Sequence, residues 1–315
     1  MSVRFRILVL TILGVLIVVA SPVVGERLSE GAGSFILWQL RVPRVLMAVL
    51  VGATLSLVGA VYQTILANPL AAPSTVGTTA GATLGALIAV TFGAASTLAG
   101  LPLVVVFAFA GAMAVTLLLT AIAASGRARL NDVLLMGVAI SLAAGAISAG
   151  IQYTADSASL MAAVQWSLGH LPQVGYRGVL LLAPFAIAAI LALLFQTRAL
   201  EALLGGEERA HSQGVDVPRL RALALGAGAL GVSACVAWCG PIAFVGLIVP
   251  HIVRLSVGVS RRVLLPMSIV VGAAFLTLCD TGSRLLLPGR ELPVGVLTAA
   301  IGAPTLVWLV ARRRR

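Results

Sequence analysis

Apolar runs long enough to cross a bilayer recur along the chain, separated by short polar connections. They lie at about Phe5 to Val24, Val42 to Ala67, Val76 to Leu98, Leu101 to Ala124, Val133 to Ile151, Val179 to Gln196, Ala222 to Cys239, Ile242 to Val257, Val263 to Cys279 and Pro293 to Val310. A helix needs about 20 apolar residues to span the hydrocarbon layer. Lipid offers no hydrogen bonds, so helices and closed barrels alone can satisfy the backbone there. The pattern therefore predicts an all-α integral membrane protein: a single transmembrane domain over residues 1–315 with about ten helices. One stretch interrupts it, from Arg198 to Arg221. It carries Glu201, Glu207, Glu208 and Asp216 among Arg198, Arg209, Arg219 and Arg221, with Gly205, Gly206 and Gly214 as punctuation. Flanked by spans, it must lie exposed at one membrane face, and its composition suits a short helix-turn-helix.

Composition sharpens this picture. The chain is 60% hydrophobic and only 10% charged, against about 25% charged in soluble domains. All 21 basic residues are arginine. Without lysine there is neither a phosphate-binding loop of the G-x-x-x-x-G-K type nor a Schiff base. The net charge of +11 reads as a topology signal rather than a nucleic-acid surface. If the first helix, preceded by Arg4 and Arg6, is uncleaved and enters from the cytoplasm, ten crossings leave both termini there. Fifteen arginines (4, 6, 127, 129, 198, 209, 219, 221, 254, 261, 262 and 312–315) then face the cytoplasm and six (27, 41, 44, 177, 284 and 290) the other side, as the positive-inside rule requires. The stretch 198–221 is thereby placed in the cytoplasm.

Chemistry-bearing groups are sparse. Cys235, Cys239 and Cys279 sit in apolar surroundings; Cys235 and Cys239 share a helix face with no nearby His or carboxylate partner, and all three read as small buried hydrophobes. Asp132, Arg254, Asp280 and Arg284 fall near span ends, and no charge occupies the centre of a span. An ion-coupled secondary transporter keeps ionisable groups near midplane, and an intramembrane enzyme needs a catalytic constellation. Both are disfavoured, so the energy for any transport comes from elsewhere. Small residues crowd the spans at Gly52 to Thr54, Gly77 to Gly85 and Ala143 to Gly150, as close helix packing in lipid demands. Pro69, Pro73, Pro241 and Pro250 predict broken or re-entrant helices.

Three stretches carry a family resemblance. Arg41-Val-Pro-Arg44 with Leu50-Val-Gly-Ala53, Gly59, Gln63 and Asn68-Pro-Leu-Ala71 resembles the second span and following turn of the FecCD family, the permeases of ABC importers for iron-siderophore, haem and corrinoid. Gly240-Pro-Ile-Ala-Phe-Val-Gly-Leu-Ile-Val-Pro-His-Ile-Val-Arg254 is similar to its eighth-span signature. Asp280 to Arg284, Glu291-Leu-Pro-Val-Gly295 and Ile301-Gly-Ala-Pro304 resemble its C-terminal end. The resemblance implies ten helices in a type II importer fold, in the bacterial inner membrane. It further implies a second permease copy (a homodimer, or a pseudo-dimer with a related chain), two separate ATPase subunits and a periplasmic binding protein. ATP and Mg would sit on the ATPase, and this chain would bind no cofactor.

The same resemblance assigns residues. Gly206, Glu207, Glu208, Arg209, Ala210, His211, Ser212, Gln213, Gly214, Val215, Asp216 and Val217 match the cytoplasmic loop that seats in the ATPase, Gln213 standing where the family commonly has Leu. Arg41, Arg44 and Arg284 match positions that in the corrinoid importer pair with glutamates of the binding protein; interfacial snorkelling, or for Arg284 a pair with Asp280, is the lesser alternative. Pro250, His251 and Arg254 form the cytoplasmic-end signature. In Gln165 to His170 the Trp-x-x-Gly is a family feature, while His170 is not. Ser141, Ser148, Gln152 and Tyr153 give a mildly polar face for the translocation pathway, although helix packing accounts for them as well. Among cargoes, a ferric siderophore is expected first, haem second and a corrinoid third.

Overall fold

The computed structural model describes residues 2–25, 33–74, 77–93, 97–98, 100–124, 130–173, 175–287 and 291–312. Of the arginines used in the topology count, Arg27, Arg127, Arg129, Arg290 and Arg313 to Arg315 lie outside the described residues, as does Val76. The helices are α1 (Val3–Ala20), α2 (Gly33–Phe35), a π-helical turn (Ile36–Arg41) continuous with α3 (Val42–Ile65), α4 (Thr78–Gly93), α5 (Leu103–Ala124), α6 (Leu130–Thr154), α7 (Ser157–Ser167) and α8 (Gly175–Phe195). They continue as α9 (Thr197–Leu203), α10 (Glu207–Ser212), α11 (Val217–Cys239), α12 (Val245–Val257), α13 (Arg261–Leu285) and α14 (Val294–Arg312). A small antiparallel hairpin pairs Thr97–Leu98 with Leu101–Pro102.

Each of the ten predicted segments coincides with a helix. Among the described residues seven helices are long and apolar enough to cross a membrane, and α4, α12 and α14 are shorter apolar helices. The chain is an all-α integral membrane protein. Its surface fits that solvent: after Arg4 and Arg6, α1 is apolar but for Thr11, yet Gly14 is its one buried residue, set against Val270 and Ala274 of α13. Leu8, Leu16 and Val19, each more than half exposed, would not face water in a soluble protein.

Buried along nearly its whole length, α3 is the centre of the bundle. It crosses α13 at Gly52 and Gly272, and α12 at Gly59 and Gly246; a methyl group at Gly52 or Gly59 would be driven into the facing carbonyl. Only hydrogen side chains allow backbones this close, and without a hydrophobic drive between helices in lipid such contact is what holds them. Ahead of α3 the helix passes through its π turn, where Val42 N donates to Leu37 O, five residues back. The wide turn falls next to Pro43, whose ring nitrogen has no hydrogen to continue the ladder.

The α11–α12 junction is broken as its prolines predict. α11 ends at Gly240, which has φ +67°, and α12 begins after Phe244 at φ +68°. Pro250, by contrast, lies inside α12 without breaking it. A proline there leaves the carbonyl four residues back without its donor. Gln63 of α3 supplies one: its Nε2 donates to Gly246 O at 3.3 Å and Leu247 O at 3.2 Å, while its Oε1 accepts from Arg254 Nη2 at 2.9 Å. The two motifs Gly59/Gln63 and Gly246/Pro250/Arg254 are thus one packing unit.

Candidate functional site

The polar stretch folds as two short helices around a glycine turn. α9 ends at Leu203, Gly206 takes φ +98°, and α10 runs from Glu207 to Ser212. Gly214, at φ +79°, ends α10: Gly214 N donates to His211 O at 2.9 Å and Val215 N to Ala210 O at 3.0 Å. This paired closure requires the left-handed region that glycine enters without a Cβ penalty. Val215 packs over buried Ala210. Asp216 then caps α11, its Oδ1 accepting from Arg219 N at 3.0 Å, with Pro218 in the first turn. Hence Ala210 and Val217 face inward, while Glu207, Glu208, Arg209, His211, Ser212, Gln213, Gly214 and Asp216 are exposed.

The segment is tied to the bundle at three helix ends. Leu200, Leu203 and Leu220 bury their side chains beneath it. Arg221 donates through Nε to Ile65 O at the last turn of α3 (3.1 Å) and through Nη2 to Glu207 (2.5 Å). Glu201 accepts from the backbone N–H of Arg261, the first residue of α13. Both groups are helix-end orphans that the helices cannot satisfy themselves. At the same end Arg6 of α1 donates to Ser256 O of α12 at 3.2 Å. The start of α1 and the polar stretch therefore share one end of the bundle.

At the opposite end a buried ion network joins α3, α13 and the lead into α14. Arg44 donates through Nε to Asp280 Oδ1 at 2.9 Å and through Nη1 to Glu291 Oε2 at 2.6 Å. Arg284 Nε stands 3.3 Å from Asp280 Oδ2, near enough for charge attraction but not aligned as a hydrogen bond. Its other nitrogens donate to Ser21 O, Ser21 Oγ, Thr281 Oγ1 and Val24 O at 3.3–3.4 Å. Arg44 and Arg284 are thus turned inward, whereas Glu291, with 51% of its side chain exposed, forms the rim together with Gln173. Arg41 is half-buried and donates to Pro22 O at 3.3 Å.

Beside this network lies a cavity of about 350 Å³ lined by Arg44, His170 to Gln173 and Glu291 to Val294. His170 N donates to Cys239 O at 2.8 Å. Burial, and then the positive Arg44, hold the His170 pKa below its ordinary 6.5. The unfolded chain binds the proton that the folded one refuses, so stability contributed here falls as pH drops through about 6.5. We expect the fall in thermal midpoint between about pH 7 and pH 5 to be shallower for His170→Gln than for the natural chain; parallel profiles would rule this out.

The residues named for a pathway separate. Ser141 donates to Gly137 O at 2.8 Å, and its Oγ lies near Gly77 at the start of α4. Ser148 is only 7% exposed. Gln152 lines a cavity of about 110 Å³ with Thr83 and Trp166. These three follow the packed side of α6, while Tyr153 is 92% exposed. The open side of α6 is instead apolar, carrying Leu135, Val138, Leu142 and Ile147, each at least half exposed, and among the described residues an added Cβ at Gly145 or Gly150 meets nothing within 4 Å. Pro250 is buried within α12, His251 is half-buried, and Arg254 is held by Gln63. Cys235, Cys239 and Cys279 are buried free thiols. Helix α7 was not anticipated. Asp156, whose Oδ2 accepts from Ala158 N and Ser159 N, caps it, and an Asp before a polar-apolar run is the signal that could have found it.

Comparison with known proteins adds an independent finding. A model of the FecCD transport family matches residues 5–312. The vitamin B12 import system permease protein BtuC of Vibrio cholerae is 37% identical over 277 residues, covering 88% of this chain and 83% of that protein. The hemin transport system permease protein HmuU of Yersinia pestis is 34% identical over 289 residues, covering 87% and 83%. A solved inward-facing ABC transporter assigned to the metal-chelate type matches with a TM-score of 0.87 at 32% identity, over 98% of this chain and 99% of that one.

Proposed function

The chain belongs to the FecCD transport family, and from that premise we propose that it is the membrane permease subunit of an ATP-driven importer that carries an iron chelate from a periplasmic binding protein to the cytoplasm. Ferric siderophore is the first candidate, haem and a corrinoid the next. Similarity to permeases named for vitamin B12 and for hemin supports the class of metal chelates. Two ATPase subunits and a second permease copy would complete the bacterial inner-membrane complex. ATP and Mg would be held by the ATPase, so this chain performs no covalent chemistry.

The observation that carries this reading is the polar stretch. It is a surface segment closed by the Gly214 turn and the Asp216 cap, whose polar side is exposed and whose buried side is bonded to the ends of α3, α11 and α13. A force applied to α10 therefore reaches three bundle helices as a rigid-body push, the mechanical input that alternating access requires. We assign contact with the ATPase to Glu207, Glu208, Arg209, His211, Ser212 and Gln213, and the positioning of that face to Gly206, Ala210, Gly214, Val215, Asp216 and Val217. At the other end we assign docking of the binding protein to Arg41 and the Glu291 rim, with Arg44 and Arg284 holding that rim in place through Asp280. The cargo would slide past the open apolar side of α6 near Tyr153. A smooth wall releases what a tight site would retain.

The test is uptake by proteoliposomes holding the permease, its ATPase and the binding protein, with ferric siderophore, haem and corrinoid as alternative cargoes. ATP-dependent entry of one of them is expected; entry driven by a proton gradient without ATP would overturn the mechanism. In the same assay Gly214→Leu is expected to cut uptake at least about tenfold while the permease stays folded, because a leucine resists the left-handed backbone by about 1–2 kcal/mol. Gly214→Asn, which tolerates that region, should retain most uptake. Equal uptake by all three chains would remove the coupling role of this turn.

A further inference from the structure

A third cavity, of about 390 Å³, opens beside the polar stretch and is lined by Arg198, Glu201, Ala202, Leu204, Gly205, Arg209, Gln213 and Arg262. Its three guanidiniums come from three different elements: α9, α10 and the first turn of α13. All three are exposed. Among the described residues none of them has a carboxylate within ion-pair distance. The one acidic lining residue, Glu201, accepts from the Arg261 backbone. Three arginines and one carboxylate leave the cavity at a formal +2.

Like charges in excess of their counter-charge repel one another, and an anion placed among them removes that cost. Guanidinium forks match the oxygens of a phosphate group two at a time. The position adds a second argument. Arg198 follows the end of α8 by three residues and Arg262 is the second residue of α13, so both mark where membrane helices meet the aqueous phase. The apolar surface there is open: Leu204, which lines the cavity, is 42% exposed, and Phe195, the last residue of α8, is 85% exposed. A polar basin with an apolar edge at a membrane boundary suits a headgroup whose acyl chains lie alongside.

We propose that this cavity binds a phosphate-bearing anion, gripped by Arg198, Arg209 and Arg262 with Gln213 as a further donor. The sources of that chemistry are an anionic phospholipid headgroup and free phosphate. Since Arg209 belongs to α10, occupancy would add a tie between the polar stretch and the start of α13 in parallel with the Glu201 bond.

The experiment uses the full purified chain in zwitterionic detergent, with the thermal midpoint read against added phosphatidylglycerol, phosphatidylcholine or inorganic phosphate. Phosphatidylglycerol is expected to raise the midpoint more than phosphatidylcholine does. Its half-effective concentration should rise about fivefold for Arg198→Gln or Arg262→Gln alone and about 25-fold for the pair. Arg4→Gln, at the start of α1 and outside the cavity, should behave as the natural chain does. An effect of phosphatidylglycerol without one of inorganic phosphate identifies the lipid as the source. A matching effect of inorganic phosphate that is lost in the same variants identifies the free anion. A phosphatidylglycerol response unchanged in the single and double variants overturns the proposal. So does the absence of any anion response; weaker ATPase association of the double variant would then make the cavity a protein contact.

Discussion

Replacing Asp280 with alanine is expected to cost the chain about 3–5 kcal/mol of stability, because it leaves the buried charge of Arg44 without its inner partner. The Asp280 carboxylate is fully buried and lies between Arg44 and Arg284, whose side chains are 7% and 10% exposed. With Asp280 gone, Arg44 retains Glu291, which is half in solvent and binds correspondingly less well, while Arg284 keeps only backbone and hydroxyl acceptors. The cost is set by the stranded cation more than by the lost attraction, and this gives the prediction a second arm. Removing both partners of a buried pair is often close to neutral, so Asp280→Ala with Arg44→Met should recover a large part of the loss. The measurement is the unfolding midpoint of the detergent-solubilised chain in a titration with denaturing detergent. A single variant as stable as the natural chain, or a double variant no better than the single, would show that the network does not hold this end together.

Gly59→Val is expected to be comparably damaging for a reason that involves no charge. Overpacking a core costs about 1–3 kcal/mol when side chains can yield; here the group in the way is the backbone carbonyl of Gly246, which cannot rotate aside. Separating α3 from α12 would also lengthen the Gln63 bonds to Gly246 O and Leu247 O, each worth about 1 kcal/mol. A total of about 3 kcal/mol or more follows. Gly226→Ala in α11 is the control, since an added Cβ there meets nothing within 4 Å. It should be neutral or stabilising by about 0.5–1 kcal/mol. Equal midpoints for Gly59→Val and Gly226→Ala would remove the close crossing as a source of stability.

The helices were legible because lipid enforces a simple code: each span must be apolar for its full length, and the runs from Phe5 onward announce themselves. Where tertiary contact sets the outcome the reading stopped. Residues 33–41 continue the helix ahead of Val42, but Arg41 and Pro43 read as a boundary, and a π turn that absorbs a proline leaves no compositional trace. The polar stretch was legible down to its glycine stop, since Gly214 acts locally. The partners of Gln63, Arg44 and Arg254 were not, because they lie 191 residues apart for Arg254 and Gln63 and 236 apart for Arg44 and Asp280. Arginine counting can assign Arg44 to a membrane side; whether its side chain turns toward the rim or the interior depends on neighbours that only the fold supplies. The cavity of Arg198, Arg209 and Arg262 was hidden for the same reason.

One helix touches both ends of this arrangement. α13 meets Glu201 at its first residue, Arg261, and Arg44 at Asp280, about 28 Å apart at 1.5 Å of rise per residue. Treated as a rod pivoting at Asp280, a tilt of about 5° sweeps Arg261 through about 2.5 Å, close to a whole hydrogen-bond length. A displacement of α9 on that scale therefore has two outlets: it breaks the Glu201 bond, or it turns the rod against the ion network at the far end. The fixed pivot makes the second a lever with its fulcrum at the ion network, so that stiffness at Asp280 sets how much motion at α9 becomes rotation of the bundle.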